Sequence, residues 1–353
     1  MAERKLLERL DDAIGAILAG RREGLALADP ALATLLVIAA DLRDLPDPAF
    51  KARLRKQLIP PSQAETMEEQ SMSATAVVET KPEIPSIMPY HLVEGASDFI
   101  AFLVEAFEGK ERFRVPRPDG LIMHAEVSVG DSIIELADAT SEYKRGPMAT
   151  HLYVDGADAA YQRAVAAGAT TLREPMDQPY GDREATVRDR WGNTWHIATH
   201  QEDVAEVELM RRFAGQWPAE APRKQPGVGP RPKGFHTVTP YLHVHGAARM
   251  IEFLAEAFKA AELGERTVGP DGTIMHAEVR IGDSVIELGE ARDEWQPMEG
   301  AYHLHVDDVD RVHERSLHAG AIAIAPPEDK PYGERASHVK DPFGNSWFIA
   351  TMK

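Results

Sequence analysis

The 353-residue sequence contains no cysteine. That absence removes disulfides, thiolate zinc sites and cysteine nucleophiles together, so any metal must rest on His, Asp or Glu. Basic residues are scarce beside acidic ones: 39 Lys and Arg face 57 Asp and Glu, a formal net charge of −18 at pH 7. Nucleic acid and anionic membrane surfaces repel such a chain, which leaves small molecules and other proteins as partners. Long apolar runs are missing too, since no stretch approaches the roughly 20 residues that a bilayer demands. The opening Met1-Ala2-Glu3-Arg4-Lys5-Leu6-Leu7 meets Glu8, Arg9, Asp11 and Asp12 at once, without the uncharged core of a signal peptide. A cytoplasmic protein that spans no membrane is expected.

What the chain does have is a long internal repeat. Pro89-Tyr90 returns as Pro240-Tyr241, 151 positions on, and Thr199 returns as Thr351, 152 positions on. A repeat of that length is a domain rather than a repeated strand or helix, so two domains are expected at 87–200 and 236–353. Ahead of them, Leu6, Leu7, Leu10, Ile14 and Leu18 fall at helical spacing, and further runs end at Leu45-Pro46 and before Pro60-Pro61. Residues 1–59 therefore read as a small helical module, suited to self-association or to a protein partner. The Pro-, Ser-, Thr-, Glu- and Gln-rich stretch 60–86 reads as a linker, and so does 201–235, with a helix near Asp203 to Phe213 and then an extended, mobile proline-rich segment.

Within each copy the periodicity switches in a fixed order. In the second copy, Tyr241 to Val244 is a strand and Ala247 to Ala260 a helix, with Met250, Phe253, Leu254, Ala257 and Phe258 on one face. Strands Ile274 to Ile281 and Ser284 to Leu288 flank the turn Gly282-Asp283. The order then recurs: strand His303 to Val306, helix Val309 to Ala319, and three short strands to Ala350. Each copy is thus βαβββ twice over, an α+β architecture of four such units.

These residues carry a resemblance. Pro240-Tyr241-Leu242-His243-Val244, Met275-His276-Ala277-Glu278-Val279 with Gly282-Asp283-Ser284, and Asp341-Pro342-Phe343-Gly344-Asn345-Ser346-Trp347 resemble the glyoxalase/bleomycin-resistance (vicinal oxygen chelate) superfamily, in its PhnB-like branch. Copy one repeats the marks at Pro89-Tyr90, Met123-His124-Ala125-Glu126-Val127 with Gly130-Asp131-Ser132, and Asp189 to Trp195. The resemblance implies that two βαβββ units pair so that curved sheets enclose a small-molecule cleft. It further implies either a divalent metal with lyase or isomerase chemistry, as in lactoylglutathione lyase, or metal-free sequestration of a drug.

Strand alternation tests the cleft independently. Met275, Ala277, Val279 and Ile281 form an apolar face, and His276, Glu278 and Arg280 a polar one. A two-residue turn at Gly282-Asp283 pairs Ile281 with Ser284 and sets Glu278 opposite Glu287; the same count sets Glu126 opposite Glu135, with His124 on their face. Facing carboxylates repel unless something intervenes. Three readings stay open: a polar face with an Arg or His counter-charge, a metal site, or a proton-sharing pair for general acid-base catalysis by Glu126, Glu135, Glu278 and Glu287.

The family's metal ligands come, as the resemblance implies, from the first and fourth strands of each unit. Carried over, they fall on Met88, Glu135, Ala149 and His196 in copy one and on Thr239, Glu287, Ala301 and Phe348 in copy two, with His151, or His303 and His305, as nearby substitutes. Glu135, His196 and His151 in copy one make the better metal set. Tyr90, His124, Tyr153, Tyr241, His243, His276, His303 and His305 are the inward candidates for ligand contact. Arg183 and Arg335, in the rim loops, are candidates to meet an anionic ligand but are expected rather to pair with the preceding acids, and Trp195 and Trp347 to lie in the core. Three functions follow: a metal-dependent lyase or isomerase, a metal-free binder of a hydrophobic or cationic molecule, or a ligand sensor reporting through the N-terminal helices.

Overall fold

The computed structural model describes residues 84–216, 225–293 and 295–353; the N-terminal module, most of the first linker and part of the second lie outside them. In chain order, copy one comprises β1 (Ile87–Val93), α1 (Ala96–Phe107), β2 (Lys110–Pro116), β3 (Ile122–Val129), β4 (Ser132–Asp138), β5 (Ala149–Tyr153), α2 (Ala157–Ala166), β6 (Thr170–Asp177), β7 (Asp182–Arg188) and β8 (Thr194–His200). A short helix, α3 (Glu206–Arg211), precedes copy two, which repeats the order as β9 (Val238–Val244), α4 (Ala247–Phe258), β10 (Ala261–Val268), β11 (Ile274–Ile281), β12 (Ser284–Glu290), β13 (Ala301–His305), α5 (Val309–His318), β14 (Ile322–Asp329), β15 (Glu334–Lys340) and β16 (Ser346–Met352). Four βαβββ units are present.

The helices form where apolar side chains recur at helical spacing. Ala96, Phe99, Ile100, Leu103, Ala106 and Phe107 bury one face of α1, and Met250, Ile251, Leu254, Ala257 and Phe258 do the same for α4. Their first turns begin at Gly95 and Gly246, which have no side chain to cap the orphan N–H groups. A carboxylate on the neighbouring strand replaces the cap. Asp138 accepts from the Gly95 and Ala96 amides at 3.0 Å each, and Glu290 accepts from Gly246 and Ala247 at 2.8 and 2.9 Å.

The strands make two eight-stranded sheets in the orders β14-β15-β16-β13-β1-β4-β3-β2 and β10-β11-β12-β9-β5-β8-β7-β6. Each sheet therefore takes one unit from each copy. The joints are antiparallel: Met88 lies opposite His303 where β1 meets β13, and Thr239 opposite His151 where β5 meets β9. The hydrophobic cores divide differently. One gathers α1, α2 and the apolar strand faces of copy one around Trp195, and the other gathers α4, α5 and copy two around Trp347. Each copy thus owns a core, and each concave sheet is shared.

The turns Gly130-Asp131-Ser132 and Gly282-Asp283-Ser284 fasten this exchange. Asp131 accepts from the Thr237 amide at 2.8 Å and Ser132 Oγ from Val238 at 2.9 Å, just where β9 begins. Asp283 accepts from Ser86 at 2.8 Å and Ser284 Oγ from Ile87 at 3.1 Å, where β1 begins. Gly130 and Gly282 stand at φ 58° and 61°, and a Cβ on either would collide with Thr237 or Ser86. Only glycine meets both demands.

Candidate active site

In the β1-containing sheet, the register sets Glu126 opposite Glu135. Each of the two carboxylates has its own basic partner. Arg112 Nε stands 3.1 Å from Glu126, and His303 Nδ1 lies 2.9 and 3.0 Å from the Glu135 oxygens. Burial works to raise the Glu135 pKa, but the His303 charge and hydrogen bond pull it below the ordinary carboxylate value. Tyr90 Oη is 3.4 Å from His124 Nδ1 and packs edge-on against Phe348, whose other side stacks on His338 at 4.3 Å between ring centres. His305 stacks on His303, and Glu334 opens β15 nearby. The four positions carried over from the family pattern here are Met88, Glu135, Ala301 and Phe348, which do not form a metal site.

The β9-containing sheet sets Glu278 opposite Glu287, with Ile281 opposite Ser284, the register of a two-residue turn. His276 bridges Tyr241 Oη and Glu278 at 3.3 Å each, repeating the Tyr90–His124 arrangement. His151 donates from Nδ1 to Glu287 at 2.8 Å, and its Nε2 lies 3.6 Å from Glu184. His196 Nδ1 is 3.5 Å from the same carboxylate, and Tyr180 donates to it at 2.8 Å. Burial alone would strip His151 of its proton, yet the Glu287, Glu184 and Asp182 carboxylates push its pKa up to about 9. Burial equally opposes the Glu184 charge, but His196, His151 and the Tyr180 hydroxyl hold it at about 2. His243, by contrast, is drawn down to about 3 by burial and by the neighbouring His196. Trp295 covers His196 and His243, with ring centres 5.1 and 5.5 Å away.

The set Glu135, His196 and His151 is not assembled. Glu135 belongs to one sheet and the two histidines to the other, because the copies exchange halves. The carboxylates that meet His151 and His196 are Glu287 and Glu184. Tyr153 packs on His151 and is sealed by Phe235, within a small cluster that also holds Ala198 and Val285. The rim arginines also differ from expectation. Arg183 pairs with Asp158 and Asp177, and Arg335 with Asp310 and Asp329, because their side chains turn outward to the helices and leave Asp182 and Glu334 on the concave face. Trp195 and Trp347 are fully buried; each donates Nε1 at 2.9 Å to Asp189 or Asp341, so these acids hold core and turn together.

Sequence reasoning did not select Glu184, Tyr180 or Trp295. Alternation along β7 offered one signal, since Asp182, Glu184 and Thr186 share the face that pairs toward His196. Two family-pattern positions of this cleft, Glu287 and His196, are metal-ligand types, while Thr239 and Ala149 are not; His151 and Glu184 complete a donor set of two carboxylates and two imidazoles. His151 Nε2 and His196 Nε2 are both buried without a hydrogen-bond partner. Two carboxylates and two imidazoles are ligand types for a divalent ion; among the described residues, the group in this cleft whose donor atoms all lie within 4.8 Å of one another is His276, Glu278 and Glu287.

The model of the glyoxalase/bleomycin resistance protein/dioxygenase superfamily matches residues 92–197 and 235–349. An uncharacterized protein of Mycobacterium tuberculosis is 32% identical over 143 residues, which cover 37% of this chain and 84% of that protein. A Mycobacterium bovis protein is likewise 32% identical over 143 residues, 94% of its length. Glyoxalase I of Zea mays aligns over 76% of this chain and 92% of its own, with a TM-score of 0.52 and 17% identity, a likeness of fold. The two matched segments span more than half of the chain and place it in one family: it belongs to the glyoxalase/bleomycin resistance protein/dioxygenase superfamily.

Proposed function

We propose that this protein binds a small molecule in the cleft of the β9-containing sheet and acts there as a metal-dependent lyase or isomerase. The observation that carries the reading is the convergence of two imidazoles on one buried carboxylate: His151 Nε2 and His196 Nδ1 lie 3.6 and 3.5 Å from Glu184, and Nε2 of each ring is buried without a hydrogen-bond partner. Glu184, Glu287, His151 and His196 would hold the ion. A bound divalent ion supplies Lewis acidity, polarising a substrate oxygen so that a neighbouring C–H gives up its proton more readily. Glu278, steadied by His276, is the residue placed to take and return that proton, while Tyr241 orients the ligand. Trp295 packs over His196, and Tyr180 donates a hydrogen bond to Glu184.

Metal analysis of the purified protein, followed by Co²⁺ titration of the chelator-treated protein, tests this. Glu184→Gln and His196→Ala should each lower affinity for this ion at least tenfold. Undiminished uptake by both variants would sink the reading. Metal-free sequestration is the second reading, favoured by the basic partner that each facing glutamate already has: Arg112, His303, His276 and His151. It predicts ligand binding by a wild-type protein that takes up no ion in this cleft.

A further inference from the structure

We propose that the other cleft, in the β1-containing sheet, carries a divalent-cation site built from His303, His305 and Glu334, with Glu135 orienting His303 rather than ligating. The strand period places His303 and His305 on one face of β13, where their rings stack with centres 4.4 Å apart. Glu334 opens β15, two strands away across β16. Each of the three side chains can bring one donor atom to within 4.8 Å of the other two. None of these residues falls on a ligand position of the superfamily pattern.

Three further observations point to an ion rather than to a mutually satisfied polar cluster. First, Glu135 accepts a hydrogen bond from His303 Nδ1–H, with its two oxygens at 2.9 and 3.0 Å. That bond fixes the tautomer and turns Nε2 out as a lone-pair donor, the arrangement in which a carboxylate backs a metal-bound histidine. Second, neither the His305 imidazole nor the Glu334 carboxylate has a hydrogen bond or ion pair within its reach among the described residues. The adjacent cation, Arg335, is committed to Asp310 and Asp329, at 2.7 and 3.0 Å. Third, the repeat supplies a control. At the corresponding places in the other cleft stand Tyr153, sealed by Phe235, and Asp182, bound to His200 at 2.6 Å. There the same corner is closed by protein contacts; here it is left open.

Two imidazoles and one carboxylate suit a borderline ion such as Zn²⁺, Co²⁺ or Ni²⁺ better than Mg²⁺ or Ca²⁺. Three protein ligands leave coordination positions for an oxygen of a small molecule lying in the cleft. The two clefts of one chain would then hold ions on ligand sets that share only the equivalent histidines His151 and His303.

The test uses the full chain, stripped with chelator and titrated with Co²⁺ by calorimetry and by its visible ligand-field absorption, with Mg²⁺ as the control ion. The wild type should show a Co²⁺ site that survives in the Glu184→Gln/His196→Ala double variant. His305→Ala and Glu334→Gln should each remove it, or weaken it at least tenfold. Glu135→Gln should weaken it about 10- to 100-fold without abolishing it. The urea midpoints of the variants, compared with wild type, show whether they fold, and Glu334→Gln, at the cleft edge, keeps the test open if His305→Ala does not. If His305→Ala and Glu334→Gln both bind Co²⁺ with wild-type affinity and absorption, or if the double variant loses all binding, the site is overturned. Loss confined to the His305 and Glu334 variants, with none in the double variant, upholds it while removing the metal from the proposed function.

Discussion

Glu184 shows how one buried charge organises a cleft. It stands among His151, His196 and Tyr180, each of which brings a donor or a positive charge to a group that burial alone would neutralise. Glu184→Gln removes the charge while keeping the volume, so the fold should survive and the ion should not, a difference that calorimetry and a thermal melt separate. Asp341 is the structural counterpart. It accepts from the Phe343 and Asn345 amides, the Asn345 side chain and Trp347 Nε1, at 2.8 to 2.9 Å. Asp341→Ala leaves those buried donors stranded, at about 1 to 3 kcal/mol each, and should lower stability by at least about 3 kcal/mol in urea unfolding. The Asp-x-x-Gly pattern was legible as a turn; that its carboxylate also reaches into the core was not, because hydrogen bonding to Trp347 needs the strand folded back over the turn.

Secondary elements were legible where burial is one-sided. Helices α1 and α4 and the hairpins β3-β4 and β11-β12 follow their apolar periodicity, and the Glu278–Glu287 register follows from the turn length. The outer strands β2 and β10 are mostly exposed on both faces and carry little alternation, so the pattern left them indistinct. Asp138 is a hinge between these elements: besides the first amides of α1, it accepts from Ile122 at 2.7 Å. Asp138→Ala should cost about 1 to 2 kcal/mol, the usual value of a lost helix cap, measured as a fall in the thermal midpoint. Asp138→Glu should recover most of it, since Glu290 serves α4 in the same way.

The whole described chain is a closed pair of copies, each lending half of its strands to the other's sheet. An isolated 84–200 fragment therefore exposes the edges of β1 and β5 that β13 and β9 normally cover. It should self-associate into dimers that rebuild both sheets; a stable monomer in light scattering would contradict this account of the joints. The joints also carry a pH dependence. His236 Nδ1 lies 3.4 Å from Asp131 and its Nε2 3.6 Å from Asp283, and the Asp131 hydrogen bond raises its pKa above 6.5 against burial. A raised folded pKa means that the stabilisation is full below about 6.5 and is lost as pH rises through the folded value. The urea midpoint of the wild type should decline over that window, and His236→Asn should decline less. On the acid side, both aspartates are lowered, so their contribution is present above 3.8 and fades below it.

The repeat, the four βαβββ units, the inward carboxylates and the absence of thiol chemistry were all written in the linear order of residues, because periodicity and turn length are local properties. Which carboxylate meets which histidine was not. Within copy one, Glu135 and His196 look like members of one site, yet the antiparallel joints β1–β13 and β5–β9 place them in different clefts and bring Glu287 of copy two to His151. Pairing between strands so distant in sequence is decided by which edges can be buried together, and only the folded chain makes that choice.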